Sequence, residues 1–485
     1  MLILFFRQFG MYLKGMKRFF RFFIIIILPC CASAQINAFY STEKHPLFNP
    51  SSDSVASCSN DSLAHNVIIF PRLFVISDNN KTEKTLTYLY GFSLHSNFTK
   101  KLNFRGAFDV ISESHHSLLN EFKDSLTVFP TFGRDNKRLQ YNCSYQFNKF
   151  ITTDFGKGKH FIGNGYRSLL LSAEHSSYPY LKVTTEFGRV RYYNLYTTFL
   201  DIQNPLQDRK KHASIHFLNF ELTKNINIGV FEGVLWRSKD KSFNRGYDLA
   251  YLNPIIFFRP VEYSKHSPDN VLMGANFNAN FNATTLYGQV LLDDLNISDV
   301  IGNTSNGSSG FLQNKFAVQF GGKTKINGVN LLIEYNQAQP YTYAHKEPMQ
   351  TYTHLNQALA HPLGANFKEM VSIAEYQYNK WNFRIKYTSA KVGLDSTNTH
   401  YGQNIFASDF YAQGDGQEYS YGNYNGQGVL TTINTLQTEI AYPLKWITVF
   451  GSIMYKAKKS DLLDQTSVWY SVGVRTFPFS TFTDY

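Results

Sequence analysis

Thr85-Leu86-Thr87-Tyr88-Leu89-Tyr90-Gly91-Phe92-Ser93-Leu94-His95 is the stretch whose reading decides the fold. Leu86, Tyr88, Tyr90, Phe92 and Leu94 fall at every second position, with Thr85, Thr87, Ser93 and His95 between them. A strand turns successive side chains to opposite faces, so a period of two means one apolar face and one wet face. The pattern returns in Tyr141, Cys143, Tyr145 and Phe147, in Met273, Ala275, Phe277, Ala279 and Phe281, and in Val329, Leu331, Ile333 and Tyr335. Trp381, Phe383, Ile385 and Tyr387 repeat it, and Val468, Tyr470, Val472 and Val474 carry it to the C-terminal end. Val, Ile, Tyr, Phe and Thr are the residues that suit a pleated surface.

A soluble sandwich would alternate in the same way, so other features must identify the solvent. The segments are numerous, and their wet faces carry Asn, Gln, Ser, Thr, Lys and Arg along the whole chain. Aromatic pairs such as Tyr192-Tyr193 and Phe257-Phe258, and the run Tyr341 to Tyr343, stand at segment ends, where a membrane barrel places its girdles. A bilayer admits only helices or a closed sheet, and no apolar run is long enough for a spanning helix. The expectation is an all-β fold: a transmembrane antiparallel β-barrel of the bacterial outer membrane with about 18 strands.

Composition agrees. Of the 485 residues, 43% are hydrophobic, 16% aromatic and 17% charged, which is too apolar and too aromatic for a disordered chain. Residues 1–34 read as a signal peptide: five cations from Arg7 to Arg21, an apolar core from Phe22 to Leu28, and Ala32-Ser33-Ala34 before Gln35. Without those five cations the formal charge falls from +11 to +6, and no Lys/Arg cluster points to nucleic acid. Residues 35–75, polar and broken by Pro46, Pro50 and Pro71, form an N-terminal periplasmic segment, and residues 76–485 form the barrel. Long polar loops are expected at 112–138, 236–247, 293–314, 336–367 and 391–428. Cys58 and Cys143 are either bridged or free.

Catalytic and metal chemistry find no support, and no cofactor is expected. His345, His354 and His361 lack zinc-motif spacing. Asp293 and Asp294 are adjacent on a strand and point apart, so they cannot act as a dyad. Gly156-Lys157-Gly158-Lys159 lacks the phosphate-loop spacing, and nothing in the sequence pairs His216 with a nucleophile.

Four segments resemble the capsule-assembly outer-membrane proteins of the Wzi type, most closely their gliding-motility relatives of the RemB type. They are His160-Phe161-Ile162-Gly163-Asn164-Gly165-Tyr166-Arg167-Ser168 through Ser172, followed by Tyr178-Pro179-Tyr180-Leu181; Tyr251-Leu252-Asn253-Pro254 through Glu262; Leu286-Tyr287-Gly288-Gln289 through Asp294; and Asn356 through Asn366. Together they extend over roughly residues 80–485. The resemblance implies a barrel that binds surface polysaccharide and helps to hold a capsule at the cell, its partners being outer-membrane lipid and capsular or exopolysaccharide. A gliding-motility or adhesion accessory and a diffusion channel are the alternatives. In these segments Asn164, Tyr166, Arg167, Tyr178, Tyr180 and Asn253 suit contact with sugars, and Arg259 and Glu262 suit a pair in the lumen. Gly163 and Gly165 permit either a bend in the wall or a close backbone approach. The competing reading of all these residues is lumen filling and girdle anchoring.

Overall fold

The computed structural model describes residues 66–81, 83–112, 137–203, 209–239, 245–254, 269–294, 315–396, 399–409, 423–477 and 484. Eighteen strands form one antiparallel sheet that closes on itself. The first, β1 (Asn66–Asn79), pairs both with β2 (Lys84–Asn97) and with the last, β20 (Asp464–Arg475). Closure removes both sheet edges, which a bilayer requires.

The two faces of β2 are sorted as the alternation predicts. Leu86, Tyr88, Tyr90 and Phe92 are each about 40% exposed on the outside, whereas Thr85, Thr87 and Ser93 are buried in the lumen. The outward belt continues around the barrel through Phe277, Phe320, Ile333, Ile385, Ile440 and Tyr470, all exposed. An apolar exterior over a polar, buried interior is the arrangement of a membrane barrel and the reverse of a soluble sandwich. Ile333 sits at the middle of β13 (Val329–Ala338) and is 59% exposed. Ile333→Arg is therefore expected to lower stability by about 2–4 kcal/mol in lipid, read from the urea midpoint of liposome-embedded protein; an unchanged midpoint would mean that this face does not meet hydrocarbon.

Short turns gather at one end, for example Asn327-Gly328 between β12 (Lys315–Ile326) and β13. Both turn residues have positive φ, as a two-residue hairpin needs. The long connections, including 113–136, 295–314, 339–366 and 395–428, all leave from the opposite end.

Two boundaries differ from the sequence expectation. The barrel starts at Asn66, ten residues before the expected 76. Pro71 does not interrupt β1, because the N–H it lacks would face β20 beyond the end of their ladder, which begins at Phe74. Thr476 finishes that side instead: its N–H donates to Leu73 O, its Oγ1 accepts from Leu73 N–H, and its hydroxyl donates to Pro71 O. At the other end, β20 stops at Arg475, and Phe477 leaves the wall to lie buried under the Arg72 guanidinium, 3.8 Å from its ring centroid. Residues 1–65, with Cys58 and the expected signal peptide, lie outside the described residues, and Cys143 is half-buried with no disulfide among the described residues.

Candidate functional site

The lumen is filled by two connections that fold inward from the long-loop end. The first, residues 159–177, joins β5 (Ile151–Gly158) to β6 (Tyr178–Phe187). It lies so close to the wall that a Cβ at Gly163 would overlap Gln289 Nε2, and one at Gly165 would overlap Glu334 Oε2. Of the two roles open to these glycines, close approach is the one observed.

Wall side chains satisfy this segment's backbone. Gln289, on β11 (Thr284–Asp294), accepts from Leu169 N–H at 2.8 Å and donates to Ile162 O at 2.9 Å. Gln319 on β12 donates to Arg167 O at 2.9 Å. Glu334 on β13 accepts from the N–H groups of Tyr166 and Arg167 at 2.7 and 3.0 Å, from Tyr287 OH at 2.8 Å and from Asn336 Nδ2 at 2.9 Å. Glu369, on β16 (Phe367–Tyr378), accepts from Asn336 Nδ2 at 3.0 Å and pairs with Arg167 at 3.3 Å and with His361 Nε2 at 2.7 Å. All these wall groups are buried, and buried polar groups need such partners. Burial holds the His361 imidazole below its usual range, although Glu369 beside it favours the charged form.

The second connection, 339–366, runs from β13 to β16 and contains a small hairpin of β14 (Thr353–His354) and β15 (Gln357–Ala358). Tyr343 OH donates to Leu169 O and Tyr352 OH to Leu170 O, each at 2.8 Å, while Ser172 N–H donates to Leu359 O. Lys211 Nζ reaches from the wall to Thr351 O at 2.6 Å and Thr353 Oγ1 at 2.8 Å. Asn366 Nδ2 donates to Gly393 O and Gln427 O and thereby ties the next long loop to the same plug. Leu169, Leu170 and Leu171, all fully buried, pack with Leu359, Leu363 and Ile405 and with wall residues such as Ile215 and Leu291. A membrane barrel thus encloses an apolar core of its own.

The sequence candidates fall into separate places. Arg167 and Tyr178 are fully buried and Tyr180 is 8% exposed, and Tyr178 and Tyr180 both pack against His160. Asn164, which accepts from Asn276 Nδ2, and Tyr166 are half-buried on the inward segment. Asn253 is exposed, far along the chain on another loop, while Arg259, Glu262 and Phe257-Phe258 lie outside the described residues. Tyr341 and Tyr343 are buried in the lumen rather than in a girdle, because the connection that carries them turns inward at once after β13. The three loop histidines are committed to different groups: His345 Nδ1 to Glu347 N–H, His354 Nδ1 to Leu200 N–H, and His361 to Glu369.

Sequence reasoning also missed a feature of the outer wall. On β8 (Arg209–Thr223), Ala213, Ile215 and Phe217 join the lumen core, so Ser214 and His216 face outward, as Glu232 does on β9 (Ile226–Arg237). All three are buried. Residues 247–252 form a strap along the outside here: Tyr247 OH donates to Ala213 O, Ser214 Oγ to Tyr251 O, and Trp236 packs against both tyrosines. This part of the second resemblance segment is therefore an outer cover of the wall. Ser214 Oγ also lies 3.0 Å from His216 Nε2, but the strap sits directly upon it. The strap turns Leu249 and Leu252 outward, 76% and 40% exposed.

The chain is thus a closed 18-stranded barrel of the kind found in bacterial outer membranes, with a filled lumen and its long loops at one end. No protein-family profile matches it, and no curated protein sequence does. Among solved structures it is similar to Wzi of Escherichia coli, an outer membrane protein involved in group 1 capsule assembly and described as a carbohydrate-binding β-barrel. That likeness has a TM-score of 0.53 at 14% identity, over 86% of this chain and 85% of that one. It is also similar to OprD and OpdK of Pseudomonas aeruginosa, each 9% identical over 84% of this chain, covering 94% and 98% of theirs, with TM-scores of 0.46 and 0.47. At 14% identity the likeness to Wzi speaks for the fold alone.

Proposed function

We propose that the chain is a non-enzymatic barrel of the bacterial outer membrane that binds or retains surface polysaccharide and assists capsule assembly. The observation that carries this reading is the filled lumen. Two inward connections are hydrogen-bonded to the wall and to each other around a dry leucine core, which favours a surface-binding role over free diffusion through the barrel. The long loops are rich in Asn, Gly and Tyr, residue types that suit sugars, and Tyr424 is 65% exposed. The likeness to Wzi, a carbohydrate-binding barrel, supports the same reading. In it Arg167 and Tyr178 act by shaping the plug, and Arg259 and Glu262 are groups proposed to meet sugar.

A clean deletion strain tests this. Surface polysaccharide is expected to shift from the cells to the medium, measured by uronic acid or total sugar in washed cells and supernatant. Unchanged retention would remove the reading. Colony spreading of the same strain tests the gliding-motility or adhesion alternative, which rests on the RemB-type resemblance.

A further inference from the structure

The outer wall sorts its charges by height. At the short-turn end Tyr378 of β16 stands opposite Trp381 of β17 (Trp381–Leu394), both exposed, and Tyr442 of β18 (Val429–Pro443) packs against Trp381 as part of an aromatic girdle. From there the outward positions of β16 and β17, among them Tyr376, Met370, Ile385 and Tyr387, carry no charge. The first outward charge on β16 is Lys368, on β17 Lys391 and on β19 (Thr448–Lys459) Lys459. Register sets them in one row: Lys368 opposite Lys391, Lys391 opposite Thr432 of β18, and Thr432 opposite Lys459. Their direction is fixed by their neighbours, since Phe367, Glu369, Ala390 and Val392 are all buried while the lysines are exposed. Strands lie about 4.8 Å apart, so the row covers about 14 Å of wall. Lys391 follows Trp381 by ten residues, and Lys368 precedes Tyr378 by ten. Ten residues of about 3.3 Å, on strands tilted by about 40°, climb about 25 Å, the height of the apolar band. The lysines therefore stand at its far boundary.

We propose that this row binds the phosphate groups of an anionic lipid in the outer leaflet. Short turns mark the periplasmic end of such barrels, so the lysines belong to the opposite, outer side. Like charges directly opposite each other weaken a sheet, and a shared anion removes that cost. Among the described residues neither Lys368 nor Lys391 has an acidic partner within ion-pair distance, and Lys459 has only Asp464 at 3.6 Å, with both side chains at least 70% exposed. An exposed pair of that kind is weak and leaves the row with a net positive charge. The surface beneath commits the occupant to a lipid. One step toward the short turns, Ser389 lies opposite Asn434, whose amide oxygen accepts from Tyr387 OH at 3.2 Å, and these polar groups suit the linkages below a phosphate headgroup. Met370, Leu436 and Tyr455, all exposed, then offer an apolar bed for acyl chains. A free phosphate would use none of this lower surface.

The test uses the full chain in detergent, with the closed sheet of every variant confirmed by the gel shift between boiled and unboiled samples. Dioleoyl phosphatidic acid, dioleoyl phosphatidylcholine and inorganic phosphate are the probes, and native mass spectrometry counts the lipid bound. Wild type is expected to hold phosphatidic acid in preference to phosphatidylcholine. Lys368→Gln combined with Lys391→Gln should bind phosphatidic acid about ten-fold more weakly. Lys84→Gln combined with Lys137→Gln removes two exposed lysines from other strands and should bind as wild type does. Wild-type binding by the first pair, or an equal loss in both pairs, would overturn the site. Displacement of the lipid by an equal concentration of inorganic phosphate would overturn the choice of a lipid as occupant. No polysaccharide takes part, so the outcome is separate from the reading of the loops.

Discussion

Glu334→Ala is expected to cost about 3–5 kcal/mol, the range found when one member of a buried charged network is removed. Glu334 is fully buried and serves four donors: the N–H groups of Tyr166 and Arg167, the Tyr287 hydroxyl and the Asn336 amide. Alanine leaves these groups without that acceptor in a place water does not reach, and each stranded donor carries its own desolvation penalty. The loss falls on the plug before the wall, because the ladder bonds of β13 with β12 and β16 involve only backbone. The urea midpoint in lipid should fall while the gel shift of the closed sheet persists at low denaturant. Glu334→Gln, which keeps one acceptor oxygen, should lose less. Equal midpoints for Glu334→Ala and wild type would show that the inward segment is held by something else.

Acid should weaken the protein between about pH 6.5 and pH 4, an interval that begins well above the usual carboxylate range. Burial pushes His175 down to about 4 and His354 down to about 3. His175 Nδ1 donates to Ser176 O at 2.8 Å, and its Nε2 has no hydrogen-bond partner among the described residues, so a second proton there would be a buried charge. His354 Nδ1 accepts from Leu200 N–H, and protonation would destroy that bond. With folded values below the unfolded one of about 6.5, the unfolded chain takes up protons first as pH falls. The stabilisation is whole above pH 6.5 and drains away toward the folded values. For His175 alone, the fall from about 6.5 to about 4 corresponds to roughly 3 kcal/mol. Urea midpoints at pH 7.5 and 4.5 measure the loss, and His175→Gln should flatten the slope. A midpoint independent of pH over this interval would contradict the buried, neutral imidazoles.

The wall was legible in the sequence because its rule is local. Leu86 to Leu94 alternate, and the structure turns that alternation into lipid face and lumen face. The closed sheet of 18 strands follows from many such segments, and the long loops at 293–314, 336–367 and 391–428 match connections at one end. The plug was not legible, since a segment that fills a lumen obeys no period. The one sign of it was the unbroken Leu169-Leu170-Leu171 run amid Gly and Ser, too apolar for a wet loop and too irregular for a strand. Arg167 and Tyr178 looked suited to sugars for the same reason that they suit the plug: each joins a large flat surface to a polar tip, and only tertiary placement tells which partner it meets. The strap was hidden by phase. On β8 the apolar set Ala213, Ile215 and Phe217 points inward, opposite to β2, and no single strand reveals that its neighbour has been reversed.

That reversed arc bears on how the chain enters its membrane. Ser214, His216 and Glu232 present polar groups on the side where acyl chains press, so bare strands β8 and β9 would insert at a disadvantage. The connection after β9 must first cross to the far side and then swing back down the exterior, bringing Leu249 and Leu252 against lipid in place of the groups beneath. Assembly of this wall therefore has a required sequence of events: translocation, then folding back, then contact with the surrounding leaflet.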